Sequence, residues 1–270
     1  MKRHLILAGL FILALPLFMW VQWSPDAFVH ERLKAANLDH AFRYEHIETA
    51  WYPGVHVHGA TVRTEGGVEL SLGDVWLMPA WREIFQANPG VHICGEWEQK
   101  GYSLNVLLAD DGVRLRDIDV ELEGSSLKDL VKAVAMGMDV LPQGMLHLQG
   151  GIDLTTSGEP MWADASLVWN ASGIDLGGQQ SYELGDFVLT LKSDDTWRWS
   201  LQGEGQLAAS GSGTLMPAGA DLGNWGLRGE VQLIAEGMAG NLMAALSGGS
   251  KQAVLLLTGS LANPRVQWRK

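Results

Sequence analysis

Apolar and polar residues alternate with period two over most of this chain. Trp197, Trp199 and Leu201 alternate with Arg198, Ser200 and Gln202, the pattern of a strand with one buried face. Val68, Leu70 and Leu72 alternate with Glu69 and Ser71, and Tyr102, Leu104 and Val106 with Ser103 and Asn105. Tyr52-Pro53-Gly54, Gly66-Gly67, Asn88-Pro89-Gly90 and Asp110-Asp111-Gly112 interrupt these runs. Strands joined by such short turn clusters read as antiparallel hairpins. The second half continues through Met145–Leu148, Ile152–Thr155, Ala163–Trp169, Ile174–Leu176, Phe187–Lys192, Gln206–Leu215, Leu227–Ala235, Ala253–Leu261 and Val266–Trp268. Gly150-Gly151 reads as a break between two of these strands.

Helical spacing is rare. Ser24-Pro25 caps and opens a connecting helix over 24–38. Pro79 to Gln86 fits one or two helical turns. Ser126 and Asp129 have capping-box character, and Leu127, Leu130, Val131, Val134 and Met138 recur at helical spacing. Met238 to Leu246 is a further amphipathic candidate.

One segment has no periodicity because it is apolar throughout. Lys2, Arg3 and His4 precede an uncharged run from Leu5 to Trp23, which as a helix spans about 28 Å, close to the hydrocarbon core of a bilayer. A cleaved signal peptide shares the charged start and apolar middle, but cleavage requires small residues at the exit. Here the exit is Phe18-Met19-Trp20-Val21-Gln22-Trp23. Trp20 and Trp23 suit the membrane–water interface, and Lys2 and Arg3 hold the N-terminus in the cytoplasm. The expected organisation is residues 1–4 cytoplasmic, 5–23 a single-pass signal anchor, 24–38 a connecting helix and 39–270 a β-rich domain, subdivided near 124–142. In a bacterium that domain lies in the periplasm, on the outer side of the inner membrane.

The expected fold is mostly β: the anchor, then an elongated, folded-over antiparallel sheet with one or two short helices. A sheet that is apolar on one side must bury that side by folding over, by packing on a helix, or by leaving a groove. Trp169, Trp197, Trp199 and Leu201 are the candidate residues of the apolar face or groove, which would suit acyl chains or a partner strand.

Composition narrows the chemistry. The 270-residue chain has net charge −12. Without Lys2 and Arg3, 17 basic residues face 31 acidic ones, a net −14. Such a body repels phosphate backbones, which argues against nucleic acid as a partner. Cys94 is the only cysteine, so no intramolecular disulfide forms; its strand-like surroundings read as a buried structural site. The 33 glycines and 12 tryptophans suit short strands and tight turns. Trp162, Trp169, Trp197, Trp199, Trp225 and Trp268 could line a ligand face, with core and edge packing the default for so large a side chain.

Candidate catalytic chemistry is sparse. His56 and His58 share one face of a strand, a two-ligand zinc arrangement that would take His92 as its third donor. No supporting metal motif accompanies them, so they read as solvent-facing, and no metal, cofactor or catalytic residue is assigned. Asp110-Asp111 and Asp194-Asp195 sit beside turns, where Asp bonds nearby amides. No G-x-S-x-G occurs, and the glycines near 203–213 open no helix. The chain reads as a non-enzyme.

Three segments carry a resemblance: Leu141-Pro142-Gln143-Gly144 with its following strand, Ala165-Ser166-Leu167-Val168-Trp169 leading to Ile174-Asp175-Leu176-Gly177, and Gly203 to Val231. Over about 140–270 the chain resembles the type II secretion system protein N family. That resemblance implies an accessory inner-membrane subunit with no catalytic residues, acting in export of folded proteins across the outer membrane. Its implied partners are other components of that system, in the inner-membrane assembly or the secretin. Trp51-Tyr52-Pro53-Gly54-Val55-His56-Val57 and Val75-Trp76-Leu77 are instead similar to the start of AsmA-like envelope proteins, as is Gly259-Ser260-Leu261-Ala262-Asn263-Pro264. That second resemblance implies a β-groove handling lipid.

Overall fold

β-Branched and aromatic residues in alternation, bounded by Gly, Asp and Pro, favour paired strands over helices. The computed structural model describes residues 42–49, 54–63, 69–85, 88–97, 100–127, 140–176, 181–219, 222–247 and 249–269, with Asp26, His30, Glu31 and Lys34. Most of these residues lie in antiparallel strands. Asp26, His30, Glu31 and Lys34 are helical. The anchor run, with Lys2, Arg3, Trp20 and Trp23, lies outside the described residues, as does 128–138 of the expected mid-chain helix. No helix among the described residues is long and apolar enough to cross a membrane.

The chain forms two compact units, Met1–Gly101 and Tyr102–Lys270. The described residues near the subdivision expected at 124–142, namely 124–127 and 140–142, lie in the second.

In the first unit, β1 (Phe42–Arg43) and β2 (His46–Thr49) both pair with β3 (Val55–Arg63). β3 pairs with β4 (Glu69–Pro79), and β4 with β5 (Gly90–Trp97). The short helix α1 (Trp81–Ile84) follows β4. Among the described residues, the unit's buried apolar side chains are Ile47, Val57, Ala60, Val75 and Ala80. The β3–β4 register shifts between Val57 and Ala60. Gly59 stands there at φ +58°, a left-handed conformation that glycine adopts without a Cβ penalty.

β6 (Lys100–Ala109) leads into the second unit. There follow β7 (Gly112–Glu123), β8 (Val140–Thr155), β9 (Pro160–Leu176), β10 (Ser181–Ser193) and β11 (Trp197–Glu204). β12 (Leu207–Met216), β13 (Gly226–Ala235), β14 (Gln252–Gly259) and β15 (Pro264–Arg269) complete it. From β6 to β15 each strand pairs antiparallel with the next. The helix α2 (Gly237–Ser247) lies between β13 and β14.

Two expected breaks are irregularities inside long strands. β8 runs through Gly150-Gly151 without interruption. β9 joins the segments expected at 163–169 and 174–176. Ala171 absorbs the bend at φ +47°, and its N–H donates to Asp186 Oδ1 at 2.7 Å. A side-chain acceptor thus replaces the ladder partner that a bulge removes.

The register separates the sheet into two chemically different faces. One cross-strand row runs Tyr102, Val120, Leu148, Leu167, Leu189 and then Leu201, Gly211, Val231, Leu255, Trp268. One residue away, on the opposite face, Asp119, Gln149, Ser166, Thr190 lead to Ser200, Ser212 and Glu230. Thr190 and Ser200 share a 2.5 Å hydroxyl hydrogen bond.

α2 covers one part of the apolar face. Ala239 and Met243 pack with Leu184, Ala235 and Ala253, flanked by Trp169, Phe187 and Leu233.

Candidate functional site: the apolar face of the second unit

Trp169, Trp197, Trp199 and Leu201 all fall on the apolar face. Their strand partners place them there: Trp169 pairs with Phe187, Trp197 with Ser193, Trp199 with Leu191 and Leu201 with Leu189. Odd positions of β10 therefore define one side.

The four have different environments. Trp169 is half-buried; its indole N–H donates to the Gln143 carbonyl at 2.7 Å and its ring lies 6.1 Å from Phe187. Trp199 is buried and lies across Gly213 and Gly229 on the two following strands. The glycines leave the space its indole fills. Its N–H is buried with no hydrogen-bond partner among the described residues. Trp197 meets Trp225 edge-on at 4.8 Å, a favoured aromatic geometry. Trp225 is only 1% exposed and donates to the Gly219 carbonyl at 3.0 Å. Leu201 is half-buried between Leu189 and Gly211.

The tryptophans therefore anchor the sheet more than they line an open surface. The open apolar positions are other residues. Leu148 and Leu189 are 36% and 39% exposed, although both stand in mid-strand. Val266 and Trp268, on β15, are 47% and 50% exposed. Period-two alternation could have found Leu148 and Leu189, but their exposure depends on what packs above them.

The outer edge of β15 has no strand partner among the described residues. It is short and carries Arg265 and Arg269, a charged arrangement typical of a guarded edge.

Trp162 stands apart from the other tryptophans. The Arg116 guanidinium lies 4.6 Å above its ring and forms an ion pair with Asp153. Asp110-Asp111 and Asp194-Asp195 are exposed in turns, as their position between strands suggested.

Two smaller expectations need correction. Cys94 is half-buried rather than buried, opposite Trp76 in the β4–β5 pair, and desolvation raises its thiol pKa. His56 and His58 are not solvent-facing: their side chains are 14% and 22% exposed. Neighbouring strands bring Glu48 and Asp74 against them, whereas His92 pairs with Met78 in the next ladder. Hydrogen bonds from His58 and His56 lower the Glu48 carboxyl pKa. The Gly59 N–H is the main cause lowering that of Asp74.

Comparison of the chain with protein-family models, curated proteins and solved structures finds no match.

Proposed function

We propose that this chain is an accessory, non-catalytic inner-membrane subunit of a type II secretion system. In this reading the anchor at 5–23 holds an elongated, folded-over β-domain in the periplasm. That domain docks on other components through the uncovered part of its apolar sheet face. The observation that carries the reading is the exposure of Leu148 and Leu189 in mid-sheet, in an apolar row that passes the buried Val231 and ends at the exposed Trp268 on the last strand. An apolar surface left open beside a packed helix is a usual mark of an interaction site. The acidic body and the resemblance over 140–270 favour a protein partner over nucleic acid.

The same face supports lipid handling as a second reading, on a specific observation. In the row from Val120 to Leu255 no polar side chain interrupts the apolar positions, which is the chemistry an acyl chain needs. Export of a folded exoprotein in a strain lacking this chain separates the two. Cargo trapped in the periplasm behind an intact outer membrane is the expected result. Normal export with a leaky or detergent-sensitive envelope overturns the secretion reading in favour of lipid handling.

A further inference from the structure

The first unit gathers six side chains in a grid. β2 contributes His46 and Glu48, β3 His56 and His58, and β4 Asp74 and Trp76. Residues two apart share a face, and the register sets His46 beside His58, Glu48 beside His56, and His56 beside Trp76. His56 stacks on Trp76 with ring centroids 4.4 Å apart, and His46 stacks on His58 at 4.1 Å. The imidazoles are thus held from both sides.

The two carboxylates divide the ring nitrogens between them. Glu48 Oε1 accepts from His56 Nδ1 at 3.4 Å and from His58 Nε2 at 3.2 Å. With those nitrogens protonated, His56 Nε2 and His58 Nδ1 are left as lone-pair donors. Both face Asp74 Oδ2, at 3.5 Å and 3.3 Å. The other Asp74 oxygen, Oδ1, accepts from the Gly59 N–H at 3.2 Å, so the bulge fixes the carboxylate. His56 Nε2 is buried with no hydrogen-bond partner among the described residues. Two imidazole nitrogens turned toward one anionic oxygen are satisfied by a proton on a ring or by a metal cation held between them.

We propose that His56, His58 and Asp74 form a zinc(II) site in the first unit, with Glu48 outside it orienting both imidazoles. The three donor groups lie within 4.8 Å of one another. Zinc–ligand bonds of about 2.0–2.2 Å set tetrahedral donors roughly 3.3–3.5 Å apart, close to the two separations at Asp74 Oδ2. Three protein ligands leave the fourth position to water. Two imidazoles and one carboxylate suit zinc better than magnesium or calcium, which take all-oxygen shells. A carboxylate accepting from the far nitrogen of a ligating histidine is the usual outer support of such a site.

The test is equilibrium dialysis of the purified full chain, in detergent, against zinc(II) alone, with bound metal counted by elemental analysis. About one zinc per chain is expected, with His58→Ala losing it and His92→Ala and His147→Ala retaining it. Glu48→Gln is expected to keep the stoichiometry while weakening affinity about 10- to 100-fold. Cobalt(II) in the same site should give the intense visible bands of a tetrahedral centre. Because His58→Ala could unfold the unit, Glu48→Gln and the cobalt spectrum stand as independent readouts. No zinc on the wild-type chain, or equal binding by folded His58→Ala, overturns the proposal.

Discussion

Ser172 and Ser193 are both buried, at 1% and 4% exposure, yet their hydroxyls do opposite things. Ser193 Oγ accepts from the buried Ala163 N–H at 2.9 Å, whereas Ser172 Oγ has no partner among the described residues. Removing a hydroxyl that satisfies a buried amide strands that amide, at about 1–3 kcal/mol, while removing an unpaired one costs little or stabilises. Ser193→Ala should therefore lower the urea midpoint and Ser172→Ala should leave it unchanged or raise it; equal losses in the two variants would refute the assignment. The same scale shows what a linear reading misses. His56-x-His58 was legible because its spacing lies on one strand. Glu48 and Asp74 were not, because they reach the histidines through the β2–β3 and β3–β4 registers, and the Gly59 bulge resets the second of these. Strand register is set by pairing across turns, and a local pattern does not carry it.

Along each element, alternation gave strand identity and turn chemistry gave most ends, including the α2 segment. The misplaced breaks have one cause. Gly150-Gly151 and the region around Ala171 look like turns by composition, but a residue at positive φ inside a strand also makes a bulge. Glycine has another use between β11 and β13. Trp199 lies over Gly213 and Gly229, and a Cβ on Gly229 would collide with the indole and stand 2.7 Å from the Ser212 carbonyl. Backbone cannot yield, so Gly229→Ala should destabilise by about 1–3 kcal/mol through overpacking. Gly101→Ala is the control, since its added methyl meets nothing within 4 Å. Chemical denaturation of both variants decides it: a neutral Gly229→Ala would mean that the indole is not seated on this strand. Gly213, Gly229 and Trp199 thus form one packing device, with a wide ring on one strand filling the space above bare backbone on the next two.

At the scale of the whole molecule, the proposed docking role makes a test of which side of the second unit's sheet would meet a partner. Leu189 and Val188 are neighbours on β10 with nearly equal exposure, 39% and 37%, but they face opposite ways. Leu189 lies in the apolar row with Leu167 and Leu201, while Val188 pairs with Val168 and Gln202 in a row that has His147 and Ser210 beyond them. Neither is deeply buried, so a glutamate at either position keeps much of its hydration and the fold should survive. A docking face tolerates a new charge poorly, because association must strip its water without supplying a partner. Under the proposed secretion role, Leu189→Glu should therefore fail to restore export in a strain lacking the chain, and Leu148→Glu should fail likewise. Val188→Glu should restore it, with all three variants accumulating at wild-type levels and melting near the wild-type temperature. Loss of export by Val188→Glu alone would move the interaction to the polar face. Full restoration by Leu148→Glu and Leu189→Glu would show that the open apolar row is not where the partner binds.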